Sequence, residues 1–346
     1  MVNSTLSYFV LGAYLPLGGV RWVLLVCVAL VYALILVLNW FLVVLILMSR
    51  SLREPMYLLL CSLFVNELYG SGGVFPFLLL QVPLDVHVVS APFCFLQIFC
   101  LYTYAHVEFC TLALMAYDRY LAICRPLQYH ARMTPRRAAA LVLLVWIYSF
   151  LKMLVTLSLS LRLTYCGNTV PSVYCHNYLV AKLACSGTAV NNIYGLFGVV
   201  LTVLVPLAPV VYSYGRILSV CYAGAGRARQ KALSTCAPQL VSLLNFSFGC
   251  CFEILQSRFD VSALPGALRV LLSLYFLVMQ PLLNPLMYGV QMKRIRDATR
   301  RLLCPAHGHA HGHAHKQTHE PAHAHGHAHT QVHGPAPSRC VGEEFV

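Results

Sequence analysis

The chain has 346 residues, 59% of them hydrophobic and 10% charged, with a formal net charge of +13. A soluble domain is roughly a quarter charged and under half apolar, so this composition excludes an ordinary water-soluble fold and makes lipid the solvent. The positive charge does not point to nucleic acid, because the basic residues sit in short gaps between apolar runs instead of covering a folded surface.

In chain order, residues 1–22 form a segment ahead of the first apolar run. Met1 to Val20 lacks the basic start, short apolar core and small-residue cleavage site of a signal peptide, so the first span is expected to act as an uncleaved insertion signal. Asn3-Ser4-Thr5 is a glycosylation sequon. Apolar runs then predict spans at Val23–Leu47, Met56–Leu80, Leu96–Tyr120, Ala138–Leu161, Asn191–Leu218, Leu233–Leu255 and Leu268–Val290. Each is long enough to cross hydrocarbon as a helix, and helices leave no backbone group unpaired in lipid. The expected fold is an all-α membrane protein, a seven-transmembrane helix bundle over residues 23–303. Arg50 and Arg53, then Arg125, Arg132, Arg136 and Arg137, then Arg227, Arg229 and Lys231, then Lys293 to Arg301 occupy alternate connections, which the positive-inside rule places in the cytoplasm. That puts the amino terminus outside and the carboxyl terminus inside.

Charged residues inside spans are costly and mark function by default. Glu67, Glu108, Asp118 and Glu253 qualify. Glu67 and Glu108, with Asn39 and Asn284, can enclose a sodium ion or share a proton; the plainer reading is a hydrogen-bonded cluster without a cation. On the third span Leu101, Tyr102, Ala105, His106 and Phe109 recur at helical spacing. They are expected to face a ligand cavity between the third, fifth, sixth and seventh spans, helped by Asn192, Gly195, Cys250, Phe252 and Glu253. His106 is either a ligand contact or a buried histidine satisfied by a neighbouring helix. Asp118-Arg119-Tyr120 closes the third span, where the acid can hold the guanidinium or merely anchor it at the interface. Pro285 removes a backbone bond in the seventh span and permits a bend one turn before Tyr288.

Lys293–Leu303 alternates Ile295, Leu302 and Leu303 with basic residues, the pattern of a short amphipathic helix lying on the inner membrane face. Cys304 follows as a candidate for acylation. Residues 304–346 form a low-complexity tail in which eleven of the 15 histidines run from His307 to His333. This is either a metal-binding tract or a disordered tail with no ordered ligand set. Of the 15 cysteines, Cys94, Cys166, Cys175 and Cys185 fall on the outer side, where disulfides form; four cysteines allow three pairings.

The string Met115-Ala116-Tyr117-Asp118-Arg119-Tyr120-Leu121-Ala122-Ile123-Cys124 resembles the signature of the olfactory receptors, rhodopsin-like G-protein-coupled receptors. So do Pro55-Met56-Tyr57, Ser213-Tyr214 with Ile217, Lys231-Ala232-Leu233-Ser234-Thr235-Cys236, and Pro281-Leu282-Leu283-Asn284-Pro285-Leu286-Met287-Tyr288, in the family's order and spacing. One departure is Glu67, where the family usually carries Asp. The resemblance implies a plasma-membrane receptor for a small odorant, with disulfides Cys94–Cys175 and Cys166–Cys185. It also implies activation through Asp118, Arg119, Tyr120, Asn284, Pro285 and Tyr288, coupling to a stimulatory G protein and a rise in cyclic AMP. No enzymatic activity is expected, since no HExxH, GxSxG or clustered catalytic set occurs in the spans. The rival readings are a rhodopsin-like receptor for an endogenous ligand and, from another class, an ion-coupled transporter or channel using Glu67 and Glu108. Against the second, the chain shows no inverted repeat and no pair of glycine-broken spans.

Overall fold

A computed structural model of the chain describes residues 7–14, 19–223, 226–259 and 266–303. Asn3, Cys304 and the histidines from His307 to His333 lie outside the described residues. Two compact units are distinguished, Met1–Thr299 and Arg300–Val346.

Among the described residues, seven helices are long and apolar enough to span a membrane. They are α1 (Val20–Met48), α2 (Pro55–Gly72) with α3 (Phe75–Gln81), α4 (Ala91–Cys124), α6 (Pro135–Leu161), α8 (Ala189–Val199) continuing into α9 (Val205–Ala223), α10 (Gly226–Arg258) and α11 (Gly266–Gln291). The short α5 (Pro126–Arg132) follows α4, α7 (Asn177–Ala181) precedes α8, and α12 (Lys293–Leu303) has the expected bounds. In α12, Ile295 is fully buried and Ala298 nearly so, while Lys293 and Arg296 are exposed, as an amphipathic helix requires.

The outer faces of the spans are apolar. Leu143, Leu144, Ile147, Leu151 and Leu154 form an exposed stripe along α6, and Val23, Val26, Leu30, Leu34 and Val37 another along α1. Such stripes are explained by hydrocarbon, not water. The inner faces carry the polar residues: Asn39, Asn66, Glu67, Glu108 and Asn284 are all wholly buried.

Two spans depart from the continuous helices expected. The second breaks between Gly72 and Phe75, because Pro76 has no N–H and its ring clashes with the carbonyl four residues back, at Gly72. The fifth contains a π-helical turn at Val200–Leu204, just before Pro206, which opposes the Thr202 carbonyl in the same way. Close approach of α2 to α4 depends on glycine: a Cβ on Gly70 would lie 2.4 Å from the Tyr104 ring, and one on Gly73 2.6 Å from Cys100 Cβ.

The all-α expectation needs one amendment, a three-stranded sheet. The strand β1 (Tyr8–Leu11) lies between β2 (Val88–Ser90), antiparallel with Phe9 opposite Val89, and β3 (Thr169–Val170), parallel with Val10 opposite Thr169. The two-residue period buries Phe9 and Leu11 and exposes Tyr8. Phe9 meets Phe95 and Tyr165 edge-on at 6.3 and 5.8 Å.

Candidate functional site: a stapled cavity above a buried polar core

At the sheet-bearing end, the segment between α6 and α8 is fixed by two disulfides. Cys94, in the first turn of α4, is joined to Cys175, and Cys166 to Cys185, each with Cα atoms 5.5 Å apart. The segment is tied further by the Cys175 N–H donating to Gln97 Oε1 at 2.8 Å and by the Tyr14 hydroxyl donating to the Val173 carbonyl at 3.0 Å.

Beneath this segment lies a cavity of about 150 Å³. An apolar cavity of that size accommodates a benzene-sized molecule. Leu101, Tyr102, Ala105 and Phe109 line it from α4, and Cys250 and Glu253 from α10. Gly195, Gly198 and Thr202 come from the fifth span, and Tyr174 and His176 from the stapled segment. His176 Nε2 is 3.2 Å from Glu253 Oε2, and its ring lies 4.4 Å from that of Tyr174. Burial pushes the His176 imidazole down to about 4 and raises the Tyr174 phenol, the latter helped by the negative Glu253.

Four expectations need correction. The fourth span lines the cavity, through Lys152, Met153 and Thr156, and among the described residues the seventh does not. His106 is not in the wall: its Nδ1 is 2.7 Å from Ser149 Oγ on α6. That serine already donates to the Val145 carbonyl, so His106 Nδ1–H is the donor and the histidine is one satisfied by a neighbouring helix. Asn192 lines a separate outer pocket of about 120 Å³, where it accepts from Arg258 Nη1 at 3.1 Å. Phe252 is absent from both linings.

Midway down the bundle, Glu67 accepts from the Tyr104 hydroxyl at 3.0 Å and from Asn284 Nδ2 at 2.5 Å. Glu108 accepts from Asn66 at 2.9 Å, Gln280 at 3.0 Å and the same Asn284 amide at 3.1 Å. Ser242 donates to Asn284 Oδ1 at 2.7 Å and so orients that amide. Among the described residues no basic side chain forms an ion pair with either acid. No group of three or more His, Cys, Asp or Glu that could hold a metal is present among them either. Nothing local in the sequence marks Gln280 or Tyr104 as the partner of an acid on another helix.

Asn39 has a different task from the one expected. Its Nδ2 donates to the Ile35 carbonyl at 2.9 Å and to the Pro281 carbonyl at 2.8 Å. Pro285, four residues beyond Pro281, has no N–H to give that carbonyl, and Asn39 supplies one from α1.

At the opposite end Asp118 is buried, with Oδ2 3.7 Å from Arg119 Nη2 and Oδ1 accepting from the Tyr129 hydroxyl at 3.0 Å. Tyr129 sits on α5, which therefore latches the acid from the connection after α4. Arg125 Nε donates to the Tyr120 hydroxyl at 3.1 Å. Arg119 Nε and the hydroxyls of Tyr214 and Tyr288 are buried without hydrogen-bond partners among the described residues. This is a polar lining whose hydrogen-bonding capacity is unspent.

A seven-helix bundle with a disulfide-stapled cavity at one end and a carboxylate-held arginine at the other defines the rhodopsin-like receptor class. The fold comparison agrees: squid rhodopsin superposes with a TM-score of 0.66 at 17% identity, covering 82% of this chain and 85% of the rhodopsin. The family model for the olfactory receptors matches residues 28–306. Human olfactory receptor 11A1 is 32% identical over 304 residues, 87% of this chain and 95% of the relative. Human olfactory receptor 2A12 is 34% identical over 274 residues, 79% and 87% of the two chains. Rat olfactory receptor 1 is 31% identical over 268 residues, 77% and 84%. The chain belongs to the olfactory receptor family. It is a signalling receptor of the G-protein-coupled class and not an enzyme.

Proposed function

We propose that the chain binds a small odorant in the cavity beneath the stapled segment and activates a stimulatory G protein that raises cyclic AMP. The cavity carries the reading: it is enclosed by four spans and a disulfide-tied cover, lined mostly by apolar side chains with a few polar groups. The receptor sits in the plasma membrane with its amino terminus outside and the basic connections inside. Ligand binding favours the arrangement in which the cytoplasmic end of α10 swings away, a shift of population between two states. Arg119, released from Asp118, then receives the G protein's terminal helix, with Asn284, Pro285 and Tyr288 forming the bend that accompanies it. Were a sodium ion bound there, Glu67 and Glu108 would supply oxygen donors of the kind a hard cation prefers, and its charge would favour the resting arrangement. Arg119→Ala should abolish odorant-evoked cyclic AMP in cells carrying an olfactory G protein while surface staining persists. Full signalling by the variant would remove Arg119 from this role.

A further inference from the structure

Lys152 is a cation in the cavity wall, deep in the α6 span. Its ammonium donates to the Gly198 carbonyl at 3.1 Å and to Thr202 Oγ1. Both acceptors are neutral, and an ammonium has three donors, so one N–H is left over among the described residues. No carboxylate lies within 4.0 Å of it there. Glu253, the acid among the lining residues, lies 3.2 Å from His176 Nε2 and forms no ion pair with Lys152.

The fifth span is shaped around this amine. Thr202 belongs to the π-helical turn, which sets its hydroxyl and the Gly198 carbonyl toward one donor. A Cβ at Gly198 would lie 3.9 Å from Lys152 Cε, an ordinary contact, so the lysine stem runs alongside the Gly198 backbone. A charged amine in a lipid-embedded cavity is costly without an anion, and here the anion is missing.

We infer that Lys152 is a specificity-determining residue that selects ligands bearing a carboxylate: small monocarboxylic acids whose head takes the free N–H and whose apolar tail lies against Leu101, Ala105 and Phe109. This rests on the reading of the cavity as the odorant site. The test uses the full chain, purified in detergent, with butanoate, hexanoate and octanoate against their methyl esters, read as thermal stabilisation and as displacement between ligands. Acids should bind better than their esters by about tenfold to a hundredfold, the worth of a charge-assisted hydrogen bond. Lys152→Gln should erase that preference, and Lys152→Arg should keep most of it.

An acid no better than its ester on the wild-type chain overturns the inference, and that comparison stands even where the Gln variant does not fold. An acid preference surviving in Lys152→Gln overturns it equally. Because binding is read without a G protein, a chain that binds hexanoate but raises no cyclic AMP fails the coupling reading and not this one. A chain that signals to neutral odorants yet ignores the acids fails this one alone.

Discussion

The bond from Asn39 to the Pro281 carbonyl makes a quantitative test, because the structure says which group would be orphaned and by which residue. Asn39→Leu keeps the branched side-chain shape, heavy atom for heavy atom, but leaves that carbonyl, denied a helical partner by Pro285, unpaired in the core. An unpaired buried acceptor costs about 1–3 kcal/mol, whereas cross-helix bonds in membrane proteins average about 0.6 and reach about 1.7. The expected loss is therefore about 1–2 kcal/mol. In a Pro285→Ala background the new N–H of residue 285 can bond the carbonyl within α11, so the same change at Asn39 should cost only a few tenths. The double-mutant cycle should show a coupling of about 1 kcal/mol, above the roughly 0.5 within which independent sites add. Equilibrium unfolding of the four chains in mixed micelles, each compared by its midpoint, measures it. Strict additivity would refute the argument that Asn39 exists to serve the proline bend.

Three further outcomes are expected. Glu108→Gln should weaken the dependence of signalling on external sodium, and a response to sodium identical to that of the unaltered receptor would count against an ion between Glu67 and Glu108. His176, held neutral by burial, has a folded value near 4 against an ordinary 6.5. It therefore supports the fold fully above 6.5 and progressively less as pH falls toward 4. The neighbouring Glu253 and Tyr174 belong to the same pocket, so His176→Gln should flatten only the histidine's share of the melting-temperature decline, which replicate scans at stepped pH would reveal. Replacing Cys94 or Cys175 with Ser releases a loop of sequence separation 81, worth about 4 kcal/mol of chain entropy. A melting temperature equal to the parent's would show that the bridge contributes little.

The helices were legible because each is a run of apolar residues about as long as a bilayer is thick, and lipid leaves the backbone no alternative. Lys293–Leu303 appears with the bounds its periodicity suggests. What hydropathy does not encode is rotation about each helix axis. His106 was expected beside Tyr102, one turn away, yet the small angle between them sends one to Ser149 and the other to the cavity. Lys152 is hard to read from sequence because a lone base in an otherwise apolar stretch does not show which helix it will face. The breaks at Gly73–Val74 and in the fifth span follow from Pro76 and Pro206, whose local effect is readable but easily lost inside a hydropathy window. The Asn39 contact and the sheet were illegible for another reason: each joins residues far apart in the chain, as Asn39 with Pro281 and Val10 with Thr169.

The sheet's order carries a consequence for biogenesis. Its central strand, β1, emerges from the ribosome first, yet β2 follows some eighty residues later and β3 later still. Until two spans have been threaded, Tyr8–Leu11 must wait with both edges bare, and until four have been threaded with one edge bare. Any epitope or purification handle fused directly ahead of Ser7 will therefore share its fate, and trimming the chain to Gly12 would leave two short ribbons with nothing between them to hold.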